Sequence, residues 1–331
     1  MSIYKVSCLD VFALAVQKAI REVAPALYEI RFAQSYDSDE HMELIGDADF
    51  LLVGGVPLTA TMIEHAKRVR LIQKWGIGVD KIDLEAARRA GIPVAITSGA
   101  NSGPVAELAV ALMLAVYRRI PHADRNMRAG VWLKSDMRSW CYQLDGKTIG
   151  LLGFGAIARM TAHRLRGFDA NIIYHDLNRA DPASERALHV KSVSFDELLE
   201  RSDILSIHTP LTKTTRNIVN DVAIAKMKDG AVIINTARGG IIDERALYDA
   251  LVSGKLRGAG LDSFEVEPTT RDNPLFGLDQ VVVTPHAGGG VFDNVAHVAH
   301  HAFGNMGRIL AGEHLATNDV IVEVPSLSGT N

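Results

Sequence analysis

Three apolar runs in the second half of the chain each end in a polar residue that a turn alone does not require: Arg238 in "NTARGG", Glu267 in "LDSFEVEP" and His286 in "TPHAGG". Ligands of open α/β sheets bind outside the carboxyl ends of strands, and all three stand just past such ends. A guanidinium is permanently charged and presents paired donors, so Arg238 suits a carboxylate or a carbonyl oxygen of a small ligand. An imidazole titrates near neutrality, which lets His286 give a proton to that oxygen and take one back in the reverse direction. Glu267, if it lies against the ring, favours the imidazolium and fixes its orientation. Singly, each residue also has a structural reading: an arginine capping a carbonyl, a solvated loop glutamate, a satisfied core histidine.

An earlier segment has the form of a dinucleotide site. "LLGFGAIARM" carries Gly153, Gly155 and Ala158 immediately after the run "KTIGLL" and at the start of a helical pattern. In such a loop the first glycine permits the tight turn, the second lets the backbone approach a pyrophosphate, and the third position needs only a small side chain for helix–strand packing. The helix N-terminus then offers N–H groups and a positive dipole end to the phosphates. The next run, "NIIYHD", ends in Asp176, at about the ~20-residue spacing of an acid that accepts from the adenosine ribose hydroxyls and repels a 2′-phosphate. NAD is therefore favoured over NADP, although Arg179 is a residue type that can accommodate the extra phosphate.

Taken together, "GIGVDKIDLEAARRAGIPV", "GFGAIA", "NTARGGIIDERALYDALVSGKLRGAGLDSFEVEP" and "VVVTPHAGG" closely resemble the D-isomer-specific 2-hydroxyacid dehydrogenase family, over nearly the whole chain. The resemblance implies hydride transfer between a nicotinamide and C2 of a 2-hydroxy acid, with Arg238, Glu267 and His286 as the catalytic trio, in a cleft between two domains. It implies cofactor contacts from Gly153, Gly155, Ala156, Ile157, Asp176, Thr209, Pro210, Thr236, Ala237, His286 and Gly288, and from Asp262 on the nicotinamide carboxamide. The loop "KWGIGVD" matches the one whose backbone amides hold the substrate carboxylate, so Ile77 and Gly78 join Arg238 and His286 as substrate residues. A homodimer is implied as well, built around the long helix that begins near Gly103. A glutamine at position 267 would have pointed to a formate dehydrogenase-like enzyme.

Phosphoglycerate members of the family usually carry basic residues near the segment matching "GGVPLTATM". Val56 and Pro57 stand there instead, and the chain ends without room for the extra regulatory domain of some of those enzymes. A small unphosphorylated acid such as glyoxylate or hydroxypyruvate is the expected substrate, with phosphoglycerate oxidation as an alternative. A second alternative is an NAD(H)-sensing binding protein of the corepressor type, which would bind NADH without turnover. Phosphite or formate oxidation would need a different set of residues around His286.

The elements that must position these residues follow from the patterning. Apolar runs alternate with helical segments from the start, the rhythm of βαβ units and parallel sheets. Runs at "IYKVSCL", "ADFLLVGG", "RLIQKWG" and Pro93 to Thr97 form a first unit, with Asp83 as a helix N-cap and Gly91 as a helix stop. Six runs from "KTIGLL" to "VVVTPH" form a second. The fold class expected is α/β with two Rossmann-like domains: a doubly wound parallel-sheet NAD-binding domain over 100–288 and a smaller flavodoxin-like substrate domain over 1–99 and 289–331. The long apolar segment opening at Gly103-Pro104 crosses between them, and the last helix and the tail "IVEVP" return to the first unit.

Composition narrows the remaining classes. At 331 residues two domains are the default, and a net charge of −4 without a basic block gives no footprint for nucleic acid. No apolar run reaches membrane-spanning length and no leader pattern opens the chain, so a cytoplasmic protein is expected. Cys8 and Cys141 form neither a disulfide framework nor a zinc spacing. His297 and His301 share a helix face but have no acidic or third ligand near in sequence, so no metal is expected.

Overall fold

The computed structural model describes residues 3–323. In chain order its strands are β1 (Tyr4–Cys8), β2 (Tyr28–Phe32), β3 (Phe50–Val53), β4 (Leu71–Lys74), β5 (Val94–Ala95), β6 (Thr148–Leu152), β7 (Asn171–His175), β8 (Val190–Ser192), β9 (Ile204–Ile207), β10 (Ala231–Asn235), β11 (Leu256–Leu261), β12 (Val281–Val283) and β13 (Val320–Val322). The chain divides into two compact units, one running to Asn101 and resuming at Gly290, the other spanning Ser102–Gly289.

In the first unit the sheet order is β13-β5-β4-β3-β1-β2. All neighbours are parallel except β13, which lies antiparallel on β5. Without β13 this is the flavodoxin-like order. Alternate residues feed two cores: Leu51 and Val53 join one, Phe50 and Leu52 the other. The helix Val295–Ala311 lays Val295, Ala299, Ala302, Phe303 and Met306 onto the second of these, so it belongs with the first unit. Asp83 caps its helix through Ala86 N–H at 2.9 Å, and Gly91 ends it with φ +69°. Of the tail "IVEVP", Val324 and Pro325 lie outside the described residues.

The second unit holds a seven-stranded, all-parallel sheet in the order β12-β11-β10-β9-β6-β7-β8. Its strands are apolar on both sides: Ile149, Leu151, Ile172, Tyr174, Val232 and Ile234 face one core, while Ile173, Leu205, Ile207 and Ile233 face the other. Helices must then cover both faces, as parallel connections require. The helix Ser102–Tyr117 is one of them, with its buried residues, Val105, Ala106, Ala109, Met113 and Val116 among them, on one broad face and Glu107 and Ala111 exposed opposite. Strand order reverses between β6 and β9, which opens a crevice at their carboxyl ends.

Two strands depart from the sequence expectation. What reads as one amphipathic segment after β1 contains β2, where exposed Glu29 and half-buried Arg31 alternate with buried Tyr28, Ile30 and Phe32. The second sheet has seven strands rather than six because β8 adds three residues, its central Lys191 exposed. Both are edge strands, so neither has the continuous apolar run that marks a central strand.

Candidate active site

The glycine loop lies at the crevice between β6 and β9. Gly153 has φ +90°, and a Cβ there would stand 2.8 Å from Thr209 N and 2.9 Å from the His208 carbonyl carbon. Only glycine lets the turn close against the end of β9, where Thr209 and Pro210 follow. A Cβ on Gly155 would meet nothing within 4 Å, so open space faces the N-terminus of the helix Ala156–Leu165. Ala156 and Ile157 begin that helix, and Ala158 is fully buried against the sheet. Phe154 N–H donates to Asp176 Oδ2 at 2.7 Å and Asn178 N–H to Oδ1 at 2.8 Å, leaving each oxygen a further lone pair. An open helix N-terminus, a side-chain-free loop and a carboxylate at the next strand end fit a dinucleotide.

His208 lies beneath this loop. Its Nε2 is 2.9 Å from Ser206 Oγ, while Nδ1 is buried with no partner among the described residues. Burial pushes the imidazole down to about 4, so it is neutral.

The arginine turn is held by its own strand. Asn235 ends β10; its side-chain amide donates to Arg238 O at 2.8 Å and its Oδ1 accepts from Ala237 N–H at 3.0 Å. Thr236 is buried, and Arg238 Nη1 donates to Ala237 O at 2.7 Å. A Cβ on Gly239 would lie 1.9 Å from the carbonyl carbon and oxygen of Phe264. The backbone beside Arg238 is thus pressed on the segment that leads to Glu267.

Asp262 governs the histidine turn. At 2% exposure it accepts at Oδ1 from Thr284 Oγ1 (2.6 Å) and Ala287 N–H (2.8 Å), and at Oδ2 from Gly288 N–H (2.9 Å). His286 stands between those anchors with φ +52°. Its Nδ1 is 2.9 Å from both Glu267 oxygens, and Phe264 N–H donates to Glu267 Oε1 at 3.1 Å. The ring is 42% exposed, and Nε2 is the nitrogen that does not face the carboxylate.

The structure therefore brings Glu267 and His286 into direct contact and joins the Arg238 turn to theirs through Gly239. Ile77 and Gly78 follow β4 in the first unit, on a partly exposed loop whose Gly76 N–H is held by Thr97 Oγ1 at 2.9 Å. Sequence reasoning passed over Asn235, although an asparagine two residues before a turn amide is an Asx-turn signal. It also passed over Lys74, whose ammonium donates to Gly54 O beside the "GGVPLTATM" segment. His301 pairs with Asp319 Oδ2 at 2.7 Å, and among the described residues no three histidine, cysteine or acidic groups cluster as a metal site.

A parallel sheet with a glycine loop at its crevice defines a dinucleotide-binding α/β protein. The family described as "D-isomer specific 2-hydroxyacid dehydrogenase, NAD binding domain" matches residues 110–288. Hydroxypyruvate reductase of Thermotoga maritima is 46% identical over 260 residues, covering 77% of this chain and 83% of that protein. D-3-phosphoglycerate dehydrogenase of Methanocaldococcus jannaschii is 40% identical over 90% of this chain, which spans 56% of that longer protein. Among solved structures, a glyoxylate reductase from Paecilomyes thermophila superposes with a TM-score of 0.82 at 32% identity, covering 97% of this chain and 99% of that one. The chain belongs to the D-isomer-specific 2-hydroxyacid dehydrogenase family. It is an NAD-dependent oxidoreductase acting on the CH–OH group of a D-2-hydroxy acid.

Proposed function

We propose that the enzyme interconverts a small unphosphorylated 2-oxo acid and its D-2-hydroxy acid, with Arg238, Glu267 and His286 as catalytic residues. The observation that carries this reading is the Glu267–His286 pair, 2.9 Å apart on a turn anchored at both sides by Asp262. NAD, when bound, supplies the hydride carrier. Arg238 grips the substrate carboxylate or keto oxygen through its paired donors. His286 Nε2 delivers a proton to the keto oxygen in reduction and withdraws it from the hydroxyl in oxidation. Glu267 accepts from Nδ1 and keeps the ring in the plane that aims Nε2. Ile77 and Gly78 offer backbone amides to the substrate carboxylate.

Cofactor contacts fall to Gly153, Gly155, Ala156 and Ile157 at the pyrophosphate, Asp176 at the ribose, and Thr209, Pro210, Thr236, Ala237 and Gly288 along the crevice. Asp262 Oδ2, which takes a single donor from the Gly288 N–H, keeps a lone pair for the nicotinamide carboxamide. Residues 100–288 serve as the nucleotide domain and 1–99 with 289–331 as the substrate domain.

For the substrate, Val56 is buried and Pro57 exposed where a phosphate group would need cations. Lys74 is the observation in favour of the phosphoglycerate alternative, since it brings an ammonium to the same turn. A homodimer is part of the proposal, supported by the exposed apolar residues of the segment 120–132. A cytoplasmic location is too, in keeping with two cysteines that form no disulfide.

The test is NADH oxidation, followed by absorbance, against glyoxylate, hydroxypyruvate, pyruvate, phenylpyruvate, 2-oxoglutarate and 3-phosphohydroxypyruvate. Turnover of glyoxylate or hydroxypyruvate is expected, falling by about 10² or more in His286→Ala. Preference for the phosphorylated acid would favour the Lys74 alternative. Binding of NADH with every acid inert would sink the enzymatic reading and leave the sensing one.

A further inference from the structure

After Asp176 the chain turns through residues 177–180 toward the helix Pro182–Leu188. This turn is pinned at both ends: Asn178 N–H donates to Asp176 Oδ1 at 2.8 Å, and Ala180 N–H to the Tyr174 hydroxyl at 3.0 Å. Arg179 lies between those two bonds. An arginine near a ribose-binding acid is the residue type that accommodates a 2′-phosphate in dinucleotide folds, so the direction of this guanidinium bears on which dinucleotide the site admits.

The guanidinium is already engaged. Its Nε is 2.9 Å from Glu185 Oε1 and its Nη2 is 2.9 Å from Oε2, the two parallel bonds of a fork on a carboxylate. Most exposed ion pairs contribute little. This one differs because the Glu185 side chain is only 11% exposed, although that of Arg179 is 68% exposed. Glu185 is also held from behind, where the Tyr174 hydroxyl donates to Oε1 at 2.7 Å. Arg179 and then Tyr174 hold its carboxyl down to about 2, so it stays ionised wherever the protein is folded near neutrality.

The clamp is continuous with the nucleotide loop. The Tyr174 ring stacks at 3.9 Å on Phe154, the residue between Gly153 and Gly155. Phe154 in turn carries the Arg159 guanidinium 4.8 Å from its ring centroid and ties to Asp176 through its N–H. A continuous path of contacts thus runs from the glycine loop through Tyr174 to Glu185. For Arg179 to reach a phosphate it would have to leave two charge-assisted bonds to a carboxylate that the Tyr174 hydroxyl holds in place.

We propose that Glu185 is a positioning residue for cofactor choice: by holding Arg179 in a fork, it denies a 2′-phosphate its countercharge and reinforces the preference for NAD set at Asp176. The inference rests on Asp176 as the ribose ligand. Glu185 itself touches no part of the cofactor.

Dissociation constants for NADH and NADPH, titrated by fluorescence, test it in the wild type, Asp176→Ala, Glu185→Ala, Glu185→Gln and their combinations with Arg179→Met. Glu185→Gln keeps the shape of the side chain and an acceptor for Tyr174, which guards against a merely unfolded helix. Asp176→Ala should admit NADPH and weaken NADH. Adding Glu185→Ala or Glu185→Gln should then tighten NADPH by roughly tenfold, the worth of one charge-assisted contact, with NADH changed by less than about twofold. Adding Arg179→Met should erase that gain. If Asp176→Ala admits NADPH but the Glu185 variants add nothing, or weaken both cofactors alike, the clamp is overturned and the ribose reading stands. If Asp176→Ala alters neither cofactor, the ribose reading fails and the clamp falls with it.

Discussion

At position 239 the backbone leaves no room for a methyl group. The nearest atoms to a Cβ there belong to the Phe264 carbonyl and Glu265 N, main-chain atoms that no side-chain rotation removes. Gly239→Ala must therefore push apart the turns that carry Arg238 and Glu267. A displacement of about 1 Å costs on the order of 10² in rate, so kcat/KM should fall at least that far although no catalytic atom has changed. The NADH dissociation constant should move less, because the pyrophosphate and ribose contacts follow β6 and β7 and only Thr236 and Ala237 adjoin this turn; an active Gly239→Ala enzyme would contradict the proposed role of this contact. Residues of this kind account for what was legible in the sequence. Arg238, Glu267 and His286 stand out because charge and titration are properties of the side chain itself. The nicotinamide role proposed for Asp262 comes from the resemblance, and its bracing role is a different one: the three bonds to Thr284, Ala287 and Gly288 come from a segment 22–26 residues away. Such a brace leaves no local pattern. The Arg179–Glu185 fork is hidden for the same reason, since it depends on how the turn between them folds.

At the scale of elements, the central strands and the apolar edge strand β12 were legible, whereas the edge strands β2 and β8 were not, because charged residues interrupt their apolar runs. The return of the chain to the first unit was legible from the lack of a sheet for its last segment; what holds it there was not. The residue before β13, Asp319, is buried and accepts at Oδ1 from Ser98 Oγ and from Ser98 N–H at 3.2 Å, while Oδ2 pairs with His301 Nε2 at 2.7 Å. Burial works to raise the Asp319 carboxyl, but the Ser98 hydroxyl and His301 outweigh it and hold the group below the usual carboxylate range. A carboxylate depressed in the folded state adds stability that is complete above its unfolded value and is lost as pH falls through the folded one. Unfolding monitored by circular dichroism should accordingly lose stability below the carboxylate range. Asp319→Asn should cost about 1–3 kcal/mol at neutral pH, the value of hydrogen bonds to a buried charged group, and should flatten the acid limb. An acid limb unchanged in that variant would remove Asp319 from the account.

On the scale of the whole molecule, two helices bury little of their own surface, although His122 and Arg125 of the first pair with Asp279. Ile120–Arg128 and Lys134–Trp140 contain no buried residue, yet short helices owe most of their stability in water to a packed apolar face. Trp132, between them, is 71% exposed, and Ile120, Met127 and Val131 are exposed beside it in sequence. An apolar group of this kind on a helical segment suits a surface that is covered in an assembly. The proposed homodimer supplies that cover with a second copy of the same segment, in the self-complementary manner of a two-fold interface. Light scattering coupled to size exclusion should then give twice the 35.9 kDa chain mass. Trp132→Asp combined with Met127→Asp should shift the mass to a single chain and lower Tm, because helices that lose their cover lose the burial that keeps them folded. A wild-type chain that elutes as a monomer, with Trp132 fluorescence already that of a solvent-exposed indole, would contradict the dimer and return these helices to the single chain.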